Sequence, residues 1–248
     1  MIVIKSRAEI ELMRAAGKIL ARTLRIVSEE IRPGITPREL DRLADKLITE
    51  AGGQPSFLNY RGYPAATCIS VNSVVVHGIP GDRPLQEGDI CSLDFGVFKD
   101  GYHADSAWTF PVGTISSENQ RLLNVTRESL YQGLAKAKAG NTVEDVGAAV
   151  QKYVESNGYS IVRDLVGHGI GTHLHEEPSV PNYGRPGRGP KLKEGTTVCI
   201  EPMVNAGTWK VTTAKDGWTM NTADGKNSAH FEHTVAITRD GVDILTLE

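Results

Sequence analysis

EGDICSLDFGVFKDGYHADSAW, from Glu87 to Trp108, is the stretch whose reading decides the fold. Two runs carrying Ile90, Leu93 and Phe95 flank Phe98-Lys99-Asp100-Gly101. Asp-Gly marks a tight hairpin, because Gly takes φ > 0 without a Cβ clash. With residues 98 to 101 as the loop, 97 faces 102 and 94 faces 105. Asp94 and Asp105 are then expected side by side on one face. Like charges directly opposite destabilise a hairpin, and carboxylates within apolar strands are costly. A cation between them relieves both costs. Two solvated Asp residues on an edge hairpin are the plainer alternative for this stretch alone.

Outward from the hairpin, capping signals bound four helices. Ser6 with Glu9 reads as a capping box ahead of a helix with an apolar face of Ile10, Met13, Leu20, Leu24 and Val27. Arg32-Pro33-Gly34 stops it. Thr36-Pro37 starts a second helix, with Thr as N-cap and Pro in the first turn, running to about Gly52. Residues 55–86 read as strand and loop. A third helix is expected over Ser117 to Ala139, closed by Gly140, and a fourth from Thr142 to near Gly158.

The chain repeats itself. PGITPRELDRLADKLITEAGG, from Pro33, matches AGNTVEDVGAAVQKYVESNGY, from Ala139, at an offset of 106 (140 − 34). L-x-E-G at 85–88 matches L-x-E-G at 192–195 at an offset of 107 (192 − 85), which carries Asp94 onto Glu201. Each half then reaches a further strand with an acid, Asp105 or Glu232. The pattern predicts an α+β unit duplicated about a pseudo-twofold axis, with pseudo-repeats of about 6–112 and 117–240, as one large domain or two fused halves.

A 40% hydrophobic and 23% charged composition is that of an ordinary globular protein with enough core to fold unaided. The net charge of −3 gives no global reason to expect nucleic-acid binding. Cys68, Cys91 and Cys199 are odd in number and lack C-x-x-C spacing, which suggests reduced thiols in a cytoplasmic chain. The N-terminus turns charged at once and offers neither a signal peptide nor a membrane span.

Four carboxylates around one axis are untenable bare. Divalent cations resolve this, since carboxylates bridge two metals with water between them. His168, in VGHGIG, lies between glycines that permit close approach to a ligand. A set of Asp94, Asp105, His168, Glu201 and Glu232 suits Mn, Fe(II), Co or Zn better than Cu(I) or an iron–sulfur cluster.

The sequence resembles the type I methionine aminopeptidases over essentially its whole length, which implies the pita-bread fold: a single catalytic domain over residues 1–248 with its duplicated halves around a curved antiparallel sheet. The matching pieces are VVHGIP around His77, SLDFG, DGYHAD, GHGIGTHLHEEP with His168 and His175, IEPMV, DGWT with Trp218, and FEHT. The resemblance implies a hydrolase that removes N-terminal methionine from nascent chains when the second residue is small. It implies two divalent ions, among Co, Mn, Fe(II), Zn and Ni. Asp94 would be a ligand, Asp105 and Glu232 would bridge both metals, and His168 and Glu201 would complete the second site. A metal-bridging hydroxide would attack the scissile carbonyl, with Glu201 handling protons. His175 would stabilise the oxyanion, and His77 would meet the scissile amide. Phe57, Tyr60, Tyr63, Cys68, Leu174 and Trp218 would wall the methionine pocket. Leu174 departs from the family's usual aromatic, and Phe57 from a smaller residue found in some members.

Other features are weighed more plainly. His103 and His230 lie two residues before Asp105 and Glu232 and are expected to be solvated or structural, at most backing the ligands. His233 should point the opposite way, and His173 has no evident role. Arg185, Arg188 and Lys191 form a small basic patch, either a solvated loop or a transient contact with ribosomal RNA. A monomer is expected, because the fold closes on its own axis. Competing readings are a proline-specific peptidase of the same fold, disfavoured because the first repeat leaves no room for an added N-terminal domain, and a metal-free binding module. The type II subclass is disfavoured by the short span from Glu201 to Glu232. Since Ile2 is large and β-branched, Met1 is expected to resist removal by the enzyme itself.

Overall fold

The computed structural model describes residues 2–248; Met1, and with it the expectation about its removal, lies outside the described residues. The capping box at Ser6 forms as expected, and Thr36 and Thr142, expected only to start their helices, head capping boxes as well. Helix α1 spans Arg7–Glu29 behind Ser6 and Glu9, and α2 spans Pro37–Glu50 behind Thr36 and Glu39. Helix α3 spans Ser117–Leu134 and α4 spans Val143–Ser156, the latter capped by Thr142 and Asp145. The expected end of α3 at Ala139 is therefore five residues too late (139 − 134). Helical pairing loses there to tertiary pairing: the Ala139 amide donates to the Thr238 carbonyl and the Gly140 amide to the Leu192 carbonyl.

The first half contributes strands β1 (Gln54–Pro55), β2 (Thr67–Val71), β3 (Val74–Val76), β4 (Ile90–Lys99) and β5 (Tyr102–Pro111). The second contributes β6 (Ser160–Ile161), β7 (Gly167–Gly169), β8 (Glu176–Val180), β9 (Thr197–Ile200) and β10 (Met203–Asn205). It continues with β11 (Val211–Thr213), β12 (Met220–Thr222), β13 (Ser228–His230), β14 (His233–Ile237) and β15 (Val242–Ile244). Among the described residues these strands pair antiparallel, and each half shows one motif. β4 lies between β2 and β5. Likewise β9 lies between β7 and β14.

The hairpin register differs from the expectation. Asp100 and Gly101 both take positive φ, 49° and 87°, so the turn has two residues and Lys99 faces Tyr102. This is the turn whose twist matches paired strands. Asp94 therefore faces Ala107, and Asp105 faces Gly96. The shift is by an even number, so both acids keep one face, but they stand diagonally and not directly opposite. A Cβ at Gly96 would meet Phe57 Cε1 at 2.7 Å; glycine there lets Phe57 lie against the strand.

The opposite face of β4 feeds the first half's core, where Leu93, Phe95 and Val97 pack with Leu20, Leu24, Leu40 and Ile48 from α1 and α2. The second half has its own core, with Leu130, Val146 and Val150 of α3 and α4 against Val198, Ile200 and Val235. A third cluster, including Met13, Tyr63, Cys68, Ile170, Leu174 and Cys199, joins the halves.

The seam between halves is stitched by hydroxyls. The Asp105 amide donates to Thr234 Oγ1 at 2.9 Å, and that hydroxyl donates back to the Asp105 carbonyl at 2.7 Å. Ser106 Oγ donates to the Glu232 carbonyl at 2.6 Å, and the Glu232 amide to the Ala107 carbonyl at 2.8 Å. Side chains from β5 and from residues 230–234 are thereby locked together at the middle of the molecule. Among the described residues, no helix is long and apolar enough to cross a membrane.

Candidate active site

At this seam a cavity of about 220 Å³ opens, and every candidate site residue named from the sequence lines it. Asp94 and Asp105 come from the middle of β4 and β5. His168 is the central residue of β7. Glu201 and Glu232 stand just beyond β9 and just before β14. His77 follows β3 with φ of 58°, a left-handed conformation that costs energy in a non-glycine residue and clusters at functional sites. Pairing of β3 with β12 brings the segments carrying His77 and Trp218 to the same wall.

The carboxylates are buried: Asp94 is 8% exposed, Asp105 4% and Glu232 2%. His168 Nε2 lies 3.6 Å from Glu201 Oε1 and 3.9 Å from Asp105 Oδ2. His168 Nδ1 meets the Gly169 carbonyl at 2.8 Å. A carbonyl only accepts, so Nδ1 carries the proton and Nε2 turns a lone pair toward the acids. Burial pushes Asp94 and Glu201 each up to about 7. Burial, then the neighbouring acids, raise Asp105 and Glu232 well above the carboxylate range.

These groups fit divalent cations. Asp94 Oδ1, Asp105 Oδ1 and Glu232 Oε1 are buried acceptors without a protein partner. An imidazole lone pair aimed at carboxylate oxygens is repulsive unless a proton or a cation stands between. Oxygen donors with one imidazole form a hard to borderline set. A thiol also lies within reach of this cluster. The donor atoms of Asp105, His168, Glu232 and Cys199 all lie within 4.8 Å of one another. Cys199 sits two residues before Glu201, so strand alternation was a signal for it. Its thiol is 3.4 Å from Thr234 Oγ1, at the seam.

His175 stands across the cavity. Its ring lies 4.1 Å from that of His168 and stacks on Tyr60 at 5.3 Å, and Nδ1 meets the Tyr60 hydroxyl at 2.9 Å. The next residue, Glu176, is held by Lys5 through a buried ion pair of 2.6 Å. Burial lowers His175 to about 3 and His77 to about 4, so both are neutral donors or acceptors at pH 7. The apolar wall is ordered by Tyr63, whose hydroxyl lies 2.9 Å from the Gly78 carbonyl and whose ring meets Trp218 edge-on at 5.2 Å. Val76, Leu165, Val166 and Met203 complete the lining, with Arg61 at its edge. Sequence reasoning passed these over, because apolar lining has the same signature as core.

The remaining histidines separate cleanly. His173 is exposed, and His103 is bonded to Ser56 Oγ at 2.8 Å. His233 turns away to Thr246 Oγ1 at 2.7 Å. His230 is neither solvated nor remote: it is 2% exposed, with Nε2 3.6 Å from Glu201 Oε2.

The model of metallopeptidase family M24 matches residues 11–239. The chain belongs to this family. A methionine aminopeptidase of Clostridium perfringens is 55% identical over 247 residues, covering 100% of this chain and 99% of the relative. Methionine aminopeptidase 1 of Bacillus subtilis is 52% identical, covering 99% of each. Among solved structures, the methionine aminopeptidase of Rickettsia prowazekii superposes with a TM-score of 0.98 at 43% identity over 100% of both chains. The prolidase of Pyrococcus furiosus superposes at 0.81 with 25% identity, covering 99% of this chain and 66% of that one. The M24 chain thus has the expected α+β, pita-bread fold, and its buried His/Asp/Glu/Cys cluster is compatible with divalent metal.

Proposed function

We propose that this M24 peptidase removes the N-terminal methionine from polypeptides whose second residue is small. One observation carries the reading: a single cavity is lined by four carboxylates and an imidazole on one side and by an apolar wall on the other. Full-length relatives at 55% and 52% identity are methionine aminopeptidases. Asp94, Asp105, His168, Glu201 and Glu232 would hold two divalent ions, among Co, Mn, Fe(II), Zn and Ni. Such a pair supplies Lewis acidity and lowers the pKa of water.

The chain's own groups do the rest. Phe57, Tyr60, Tyr63, Cys68, Leu174 and Trp218 take up the flexible methionine side chain, which suits an apolar, adaptable wall. The acids attract the substrate's free amine. Glu201 accepts a proton from the attacking water and returns it to the leaving amine. His175, held on Tyr60, donates a hydrogen bond where negative charge develops on the carbonyl oxygen, and His77 contacts the scissile amide. The crowding of histidines and acids leaves little room for the residue after methionine; overpacking a fitted site costs about 1–3 kcal/mol.

We read residues 1–248 as one catalytic domain with pseudo-repeats of about 6–112 and 117–240, working as a cytoplasmic monomer on nascent chains. Arg185, Arg188 and Lys191 are exposed and supply the charge for a transient contact with ribosomal RNA. The test is release of methionine from Met-Ala-, Met-Gly-, Met-Leu- and Xaa-Pro-peptides by chelator-treated protein resupplied with Co, Mn or Fe(II). Cleavage of the first two only, and only with metal, is expected. Preferential cleavage of Xaa-Pro-peptides, or full activity without metal, would overturn the assignment.

A further inference from the structure

His230 is left unused by the mechanism above, yet its ring stands behind Glu201, which lines the cavity. Its backbone is clamped from both sides by one hydroxyl: the amide donates to Thr109 Oγ1 at 2.9 Å, and that hydroxyl donates to the His230 carbonyl at 2.8 Å. The ring is 2% exposed, and among the described residues neither of its nitrogens has a hydrogen-bond partner. Buried polar groups are almost always partnered. Nε2 lies 3.6 Å from Glu201 Oε2, while Glu201 Oε1 lies 3.6 Å from His168 Nε2. The carboxylate therefore stands between two imidazoles, one per oxygen. The His168 side is the face toward Asp105, where the cation fits. The His230 side has no other acid at ion-pair distance among the described residues.

We propose that His230 is a positioning residue for Glu201, its neutral ring donating Nε2–H to Oε2 and turning Oε1 to the His168 side. The proposal rests on the assignment of Glu201 as the proton-handling group. The gap closes by a few tenths of an ångström through rotation of the Glu201 side chain, the more mobile partner, since the histidine backbone is fixed. With Oε2 bonded, rotation of the carboxylate is stopped and Oε1 alone is presented. Groups standing behind metal-site residues orient them in this way, and their loss typically costs about 10–100-fold in activity or metal affinity.

Two readouts test this. In steady-state assays on a Met-Ala-peptide, His230→Leu should lower kcat by about 10–100-fold with KM little changed. His230→Gln, which keeps an N–H donor, should restore most of that loss. Equal loss in both variants would reduce His230 to packing. Independently, imidazole nitrogen NMR of metal-free wild-type protein should show His230 as the neutral Nε2–H tautomer, with its resonance moved by Glu201→Gln. The Nδ1–H tautomer, or a resonance indifferent to Glu201→Gln, would overturn the proposal. The tautomer readout needs no substitution at 230, so it decides even if His230→Leu does not fold. A wild type that releases no methionine would sink the functional assignment and leave the NMR result standing on its own.

Discussion

In the first half, Asp94 and Asp105 sit inside an unbroken ladder that runs from Ile90 opposite Pro111 to Lys99 opposite Tyr102. In the second half the ladder stops short of the acids: β9 ends at Ile200 and β14 begins at His233, leaving Glu201 and Glu232 just outside it. Mid-ladder, the pleat fixes the side-chain direction, and a short Asp suffices. Off the ladder the backbone groups need other partners. The Glu201 carbonyl accepts from Asn182 Nδ2 at 3.0 Å, and the Glu232 backbone pairs across the seam with Ser106 and Ala107. The longer Glu side chain then reaches the same cavity. One chemistry is thus built on two backbones, rigid pleat on one side and pinned loop on the other.

The largest expected effects test whether the seam is shared equally. Asp105→Ala and Glu232→Ala, one from each half, should each lower kcat/KM by about 10⁴ or more, as loss of an essential member of a catalytic unit does. Asp94→Ala should be less damaging. Calorimetric metal titration should show both binding events disturbed in the first two variants and one preserved in the third. Two ordinary binding events in either seam variant would break the symmetry between halves.

A smaller effect is expected at His175, which belongs to the second half but touches the first through Tyr60. His175→Ala should lower kcat by about 10²–10³, the cost of one oxyanion donor, with metal content unchanged by elemental analysis. Loss of bound metal would make it a ligand instead.

How much of this was legible follows the same divide. The hairpin acids could be placed from alternation alone, and they keep one face even though the turn is two residues and not four. Glu201 followed from the repeat. Glu232 lies at an offset of 127 (232 − 105) from Asp105, against 107 (201 − 94) for the other pair. No fixed offset finds it, because β11 and β12 intervene and carry the Trp218 wall; the flanking motif found it. Alternation put His230 on the face of Glu232 and limited it to a structural or backing role; that its ring meets Glu201 is a contact with a distant segment, which alternation does not reach. Val76, Leu165, Val166 and Met203 gave no signal, since the sequence of a pocket wall reads as core. The end of α3 was misplaced because its competitors, Thr238 and Leu192, are distant in sequence.

The smallest expected effect lies in the paired helix caps, one per half. Thr36 with Glu39 and Thr142 with Asp145 are equivalent capping boxes. They differ in surroundings: Asp145 Oδ1 also accepts the Gly187 amide at 2.9 Å, tying the Pro/Gly loop to α4. Thr142→Ala should therefore cost about 1–2 kcal/mol, toward the upper end for a cap, and more than Thr36→Ala, measured by denaturant unfolding. The pH dependence separates the caps further. Both acids are held below their ordinary values, so each contributes stability above its unfolded pKa, and that contribution is lost as pH falls through the lower folded pKa. Glu39 is lowered first by the Thr36 hydroxyl, but Asp145 first by the Thr142 backbone amide. Removing the hydroxyl should raise Glu39 more than it raises Asp145, because Glu39 then keeps only the Thr36 amide while Asp145 keeps the amides of both Thr142 and Gly187. Carboxyl-carbon NMR titration of the two variants reads both values. Equal relaxation of the two acids would mean that the loop contact adds nothing and that the caps are interchangeable.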